Sequence, residues 1–345
     1  MKYRIYTTSN KAWDGMLKAM ESARHSIYIE MYIFLADTDS THDFLGTIIG
    51  KAKAGIKVVV IADVFGSFAL PRKTVELIRE SGVEFLYFYG LFKHTHRKLV
   101  IVDRHIAFLG GVNIEEKIRH WRDLQVRVEG KIILPIIRSF ARVYQDCGGK
   151  DQNISALSAI KPVQKIKSWI IENIPGTNRL YYLNNYYRSK LAAASQSIKI
   201  VTPYLSPPRW LLSLLSNASA RGVDIEIIIP ADTDIKSLNR INRVNAARLS
   251  DFGAKIYLGR QMNHAKAMII DGQEGIIGSQ NLDVLSFGLN MEVGLFFSQK
   301  HIIADLSSLF ERWKMQAEPF SRSSARVLWF DRILLLVTKI IYPIF

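Results

Sequence analysis

Apolar positions along this chain follow two rhythms. Runs such as Ser26-Ile27-Tyr28-Ile29-Glu30-Met31-Tyr32-Ile33 are short, dense and rich in β-branched residues, which predicts strands. The stretch carrying Met16, Leu17, Met20 and Ala23 repeats its apolar positions every three to four residues, which predicts an amphipathic helix. The two kinds of segment alternate from the N-terminus onward. Strands apolar enough to be covered on both faces, separated by helices, predict α/β layers around a largely buried sheet.

The alternation is written twice. The run Ser26 to Ile33 is matched by Ser197-Ile198-Lys199-Ile200-Val201-Thr202-Pro203-Tyr204, 171 residues on. Ala54-Gly55-Ile56-Lys57-Val58-Val59-Val60-Ile61 is matched by Arg221-Gly222-Val223-Asp224-Ile225-Glu226-Ile227-Ile228 at an offset of 167, and Ser81 to Tyr87 by Phe252 to Leu258 at 171. Order and spacing hold throughout, which predicts two copies of one domain packed about a pseudo-twofold axis. The expected division is a first repeat over 1–147, a linker over 148–176 that is partly helical around Ile166 to Ile171, a second repeat over 177–319 and a tail over 320–345. On a helical wheel, Val327, Trp329, Phe330, Ile333, Leu334, Leu336, Val337, Ile340 and Ile341 share one half, so the tail reads as a helix docked on the core or lying in a membrane surface.

The chemistry is doubled as well. His96-Arg97-Lys98, then Asp103, then Gly110-Gly111-Val112-Asn113 is answered by His264-Ala265-Lys266, then Asp271, then Gly278-Ser279-Gln280-Asn281, at an offset of 168. Five fixed identities at about one in twenty each occur by chance on the order of 10⁻⁷ per starting point, and here they occur twice in register. Leu99 to Val102 and Ala267 to Ile270 read as buried strands, so His and Lys two apart point to one face of the strand end. Gly110, Gly111, Gly278 and Ser279 are small enough to let the backbone and the amides of Asn113 and Asn281 approach a bound group. Each repeat thus offers an imidazole, an ammonium and an amide, a set suited to a phosphodiester. His25, His42, His94, His105, His120 and His301 lack this setting and read as structural or surface residues. Gly46 to Lys51 is one residue short of a P-loop and reads as helix.

These residues resemble the phospholipase D superfamily, whose double His-x-Lys-x4-Asp signature stands intact from about Ala12 to Trp313. Tyr28 to Phe34, Gly66-Ser67, Trp121-Arg122-Asp123, Ser286 and Asn290-Met291-Glu292 make the chain similar to short bacterial cardiolipin synthases without N-terminal membrane spans. The resemblance implies two tandem α-β-α sandwich domains with the active site at their interface. It implies that His96 is the nucleophile and His264 the acid and base, with Lys98, Lys266, Asn113, Asn281, Gly111 and Ser279 around the phosphate. Asp123 and Glu292, at matching places after each Asn, would orient the histidines. Asp103 and Asp271, the aspartates of the catalytic motif, would support its loop without touching substrate. No cofactor and no metal are implied, because the two lysines supply the positive charge.

Composition narrows the partner. Lys and Arg number 46 against 31 Asp and Glu, a net charge of +15 with no basic block, so the positive surface should meet an anionic phospholipid membrane or a nucleic acid. The apolar tail counts against nucleic acid and for phospholipid substrates. No stretch reaches the ~20 apolar residues of a spanning helix, and the expected location is peripheral, on the cytoplasmic side of a bacterial cell membrane. Hydrolysis by a phospholipase D, phosphodiesterase or nuclease of the same superfamily would use the same residues, and a non-catalytic lipid-binding protein is a third class.

Overall fold

The computed structural model describes residues 1–90, 93–161, 167–174 and 180–321. The chain divides into two compact units, Met1–Ile170 and Ile171–Phe345. The tail helix expected over Val327 to Tyr342 lies outside the described residues. Among the described residues no helix is long and apolar enough to cross a membrane.

The first unit is built on seven strands: β1 (Lys2–Thr8), β2 (Ser26–Met31), β3 (Lys57–Asp63), β4 (Glu84–Phe88), β5 (Lys98–Val102), β6 (Ile106–Gly110) and β7 (Arg122–Glu129). They form one sheet in the order β1-β7-β6-β5-β2-β3-β4. β2, β3 and β4 run parallel and are joined by the helices Phe44–Lys53 and Arg72–Glu80, while β5, β6, β7 and β1 are antiparallel to their neighbours. Every residue of β2 and β5 is buried, as strands covered by helices on both faces must be. On one face Ile29, Val60, Val100 and Phe108 pack with Trp13, Met16 and Met20 of the helix Ser9–Glu21. On the other, Tyr28 stacks on Phe140 of the helix Ile133–Asp146 with ring centroids 5.1 Å apart.

The second unit carries β8 (Ser168–Ile174), β9 (Leu180–Tyr181), β10 (Ser197–Val201), β11 (Leu205–Ser206), β12 (Asp224–Pro230), β13 (Lys255–Gly259), β14 (Ala267–Ile270), β15 (Glu274–Gly278), β16 (Leu282–Asp283), β17 (Glu292–Phe297) and β18 (Ala317–Pro319). The large sheet runs β18-β13-β12-β10-β14-β15-β17-β8-β9, and β11 pairs with β16 apart from it. Its centre, β13-β12-β10-β14-β15-β17, repeats the order β4-β3-β2-β5-β6-β7 of the first unit. The α/β fold expected from the repeat is therefore present in both copies.

One stretch departs from its expected state. Helix was expected around Ile166 to Ile171, but the described residues from Ser168 are strand β8. β8 flanks β17 as β1 flanks β7; β1 is followed directly by a helix leading to the first parallel strand, and β8 is followed by β9 and then such a helix. The segment Trp169-Ile170-Ile171 is too short for its apolar run to distinguish the two states, and sheet pairing decides. Residues before it fold back on the first unit: the Asp151 N–H donates to the Tyr144 hydroxyl at 2.8 Å, and Asp151 pairs with Lys57 at 3.1 Å.

Candidate active site

In the first unit the antiparallel register Met31↔Lys98 brings the end of β2 beside the start of β5. His96 precedes β5 and meets Tyr32, just beyond β2, edge to face at 5.0 Å between ring centroids. Lys98 is fully buried and donates from Nζ to the His96 carbonyl at 2.6 Å, with the ammonium 5.0 Å from the Tyr32 ring centre. His96 itself is 7% exposed, which leaves a narrow approach to an imidazole held beside a buried cation. The second unit repeats this. His264 is 5% exposed, Tyr204 lies edge-on to it at 6.2 Å, and the buried Lys266 donates to the His264 carbonyl.

The motif aspartates sit at the other end of their strands. Asp103 accepts the N–H groups of Arg24, His25 and Ser26 at 2.9, 2.7 and 2.9 Å, and its own N–H donates to the Ser26 carbonyl. Asp271 does the same with Ser195, Gln196 and Ser197, and also accepts the Ser195 hydroxyl. Both adopt left-handed backbone angles, φ 50° and 52°, at the tight turn of a hairpin. Six residues lie between His96 and Asp103, and seven strand-like steps span roughly 23 Å. These carboxylates anchor the entry to β2 and β10. Burial alone would raise their pKa values, but the amide donors outweigh it and hold both below the usual range.

The glycine turns have a physical cause. A Cβ on Gly111 would lie 2.2 Å from Asp123 Oδ1, and one on Gly110 would lie 2.1 Å from the Leu124 carbonyl oxygen. The room that glycine leaves is thus filled by the buried Asp123 and by β7. In the second unit Ser279 stands at the Gly111 position and the longer Glu292 at that of Asp123. The Ser279 hydroxyl donates to Glu292 Oε2, and the Ser286 hydroxyl donates to Oε1 at 2.7 Å. One copy pairs glycine with the shorter acid; the other pairs serine with the longer.

Asn113 accepts the Ile33 N–H on Oδ1 at 3.3 Å and is buried. The Asn281 N–H donates to the Ser286 hydroxyl at 2.9 Å, and Asp283 Oδ1 accepts the Ser286 N–H at 2.8 Å. Burial pushes the Asp283 carboxyl up to about 6, against the pull of its hydrogen bonds to Ser286 and Asn281. Among the described residues no three His, Cys, Asp or Glu side chains gather as metal ligands.

A polar network specific to the first unit was not legible in the sequence. Fully buried Glu30 pairs with Arg97 at 3.2 Å and accepts the Thr95 hydroxyl at 2.6 Å. Arg97 donates to Ser139 at 2.7 Å, the Thr95 N–H donates to Asp63 at 2.8 Å, and His94 Nδ1 lies 3.3 Å from Asp63. The second copy has Val201, Ala265 and Pro230 where the first has Glu30, Arg97 and Asp63. The charged residues flanking His96 therefore have apolar counterparts beside His264. The signal available in the sequence was this contrast between aligned copies.

The family model described as "Cardiolipin synthase, PLD-like domain" matches residues 16–144 and again residues 187–314. The chain belongs to this family. Each match carries one His-Lys pair with its strands, so the doubled motif and the doubled fold coincide. A cardiolipin synthase of Clostridium perfringens (strain 13 / Type A) is 27% identical, over 99% of this chain and 76% of the relative. A probable cardiolipin synthase of Bacillus subtilis (strain 168) is also 27% identical, over 92% of this chain and 67% of the relative. Among solved structures, phosphatidylserine synthase of Haemophilus influenzae Rd KW20 shares the fold at a TM-score of 0.76 and 13% identity, covering 99% of this chain and 93% of that one. Phospholipase D superfamily membership follows from the family match.

Proposed function

We propose that the chain is a cardiolipin synthase-type phosphatidyltransferase, using two phosphatidylglycerol molecules as donor and acceptor. The observation that carries the reading is the twofold occurrence of a nearly buried histidine whose carbonyl binds a buried lysine, in a chain of this family. His96 attacks phosphorus of the donor; the bond to the glycerol oxygen breaks, and His264 gives that oxygen its proton. A phosphatidyl-His96 adduct remains. His264 then takes the proton from a hydroxyl of the acceptor, whose oxygen bonds to phosphorus as the His96–phosphorus bond breaks. One phosphodiester replaces another, so no nucleotide energy source is needed.

Lys98, Lys266, Asn113 and Asn281 bind the phosphoryl oxygens as their charge grows, and fixed donors need little reorganisation. Asp123 and Glu292 each hold the second nitrogen of a histidine, fixing its tautomer and stabilising its cation. In this reading Ser279 acts through Glu292, and Gly111 makes room for Asp123. The substrate is a membrane lipid, and the location that goes with this reading is peripheral, on the cytoplasmic face of a bacterial cell membrane.

Products from labelled phosphatidylglycerol in vesicles test the proposal. Cardiolipin with free glycerol is expected. Phosphatidate with glycerol would make the chain a hydrolase, and no product would make it a lipid-binding protein.

A further inference from the structure

We infer that the loop Val64 to Leu70, together with Tyr89, is a pre-ordered anchor that inserts into an anionic phospholipid bilayer at the rim of the His96 site. The inference rests on the membrane-lipid substrate proposed above. Phe68 is 82% exposed, Tyr89 73% and Phe65 40%, a set of aromatics that folding leaves in water. Scattered exposed apolar residues are ordinary, but these share one end of one sheet. The Val64 N–H donates to the Phe88 carbonyl at 3.2 Å, extending the β3–β4 pairing so that Tyr89 emerges beside the loop.

That end of the sheet is also where the chemistry lies. The register pairs Met31 with both Lys98 and Ala62, so Tyr32, His96 and the loop leave neighbouring strands at the same edge. The loop is tied there. Ser67 is buried, accepts the Phe34 N–H at 3.0 Å and donates to the Tyr32 carbonyl at 3.0 Å. Asp63 Oδ1 accepts the N–H groups of Phe65 and Gly66, each at 3.0 Å. A side chain on Gly66 would collide with the Tyr32 carbonyl, at 2.3 Å from its oxygen, so the loop follows the residue that packs on His96. Phe65 and Phe68 are presented by a backbone that has little freedom to withdraw them.

Charge selects the occupant. After Pro71 come the exposed Lys73 and Arg72, whose side chain is 92% exposed and pairs with Glu76 at 3.0 Å, in a chain of net charge +15. Aromatic residues beside exposed cations suit the interface of an anionic bilayer, where the rings take the headgroup level and the cations meet lipid phosphate. The matching segment of the second unit, Ala231-Asp232-Thr233-Asp234-Ile235, carries two carboxylates and no aromatic ring. The anchor is a feature of one repeat, absent from the fold they share.

The test uses the full chain with Cys147→Ser, a fluorophore sensitive to polarity attached at Phe68→Cys, and vesicles of phosphatidylglycerol and phosphatidylcholine. Blue-shifted emission, quenching by bromine-labelled acyl chains and at least a tenfold weaker response with pure phosphatidylcholine are expected. Tyr89→Cys, labelled likewise, gives the same result if the first variant misfolds; a label at Leu77→Cys, on the outer face of the helix Arg72–Glu80, stays in water. Labels that remain in water on a vesicle-bound chain overturn the anchor. Labels that respond to self-association without lipid overturn it also, in favour of a protein interface. Turnover of a short-chain phosphatidylglycerol is measured in parallel. Product without insertion refutes the anchor alone, and insertion without product refutes the proposed reaction alone.

Discussion

In the proposed reaction the Ser286 hydroxyl acts at one remove, through the groups it binds. It holds Glu292 by one oxygen and receives the N–H of Asn281. A hydrogen bond to a charged group is worth ~1.5–3 kcal/mol. Ser286→Ala should therefore lower kcat roughly 10- to 100-fold with KM little changed, and Ser286→Thr should restore most of it. Steady-state kinetics on phosphatidylglycerol would contradict this if KM alone moved. The buried pair Glu30–Arg97 is a matter of stability. Arg97→Ala strands a buried carboxylate and should cost ~3–5 kcal/mol in denaturant unfolding. Glu30→Val with Arg97→Ala, which copies Val201 and Ala265 of the second unit, should lose less than Arg97→Ala alone; an equal or larger loss would show that a stranded carboxylate is not what Arg97→Ala costs. Neither role was legible beforehand. His96 and Lys98 announce themselves by repetition, whereas Glu30 meets Arg97 only once β2 and β5 are paired.

At the scale of elements, the hairpins β5–β6 and β14–β15 are fixed at one end by Asp103 and Asp271. Their pKa values are lowered in the fold, so their contribution is complete above an unfolded value near 3.9 and is lost as pH falls through the folded value. Asp103→Asn keeps the left-handed backbone and should flatten the fall in melting temperature below about pH 4. Asp283 has the opposite sign. Its folded pKa of about 6 means that its contribution is full below about 4 and is lost as pH rises through 6. Asp283→Asn should thus compare better with the wild type at pH 8 than at pH 4.5, by about 2 kcal/mol. Calorimetry across that range checks both signs. The paired strands were legible because β-branched runs recur in register. β8 was not, because a strand beside β17 is recruited by a sheet assembled from distant residues, and local periodicity carries no trace of that.

For the whole molecule, two copies of one fold carry unequal surroundings: a buried charged network and an aromatic rim in the first, apolar residues and a hydroxyl-bound glutamate in the second. Duplication explains the shared His, Lys and Asn, and divergence leaves room for unequal roles. The tail is expected to add a further attachment. β18 ends at Pro319 and the Phe320 N–H still bonds to the Ile256 carbonyl, so a chain ending at Ser321 keeps both sheets. Such a chain should melt as the full one does and bind anionic vesicles more weakly, since burial of each large apolar side chain contributes ~1.5–3 kcal/mol before ordering costs. Unfolding, or unchanged binding in a sedimentation assay, would assign the tail to the core. The most direct test of the reaction itself is the position of the covalent intermediate. The full chain, mixed with phosphatidylglycerol labelled at phosphorus and quenched within a turnover, should yield an acid-labile phosphatidyl group on the peptide containing His96. Label on the peptide containing His264, or cardiolipin formed by a chain that never carries label, would contradict the account.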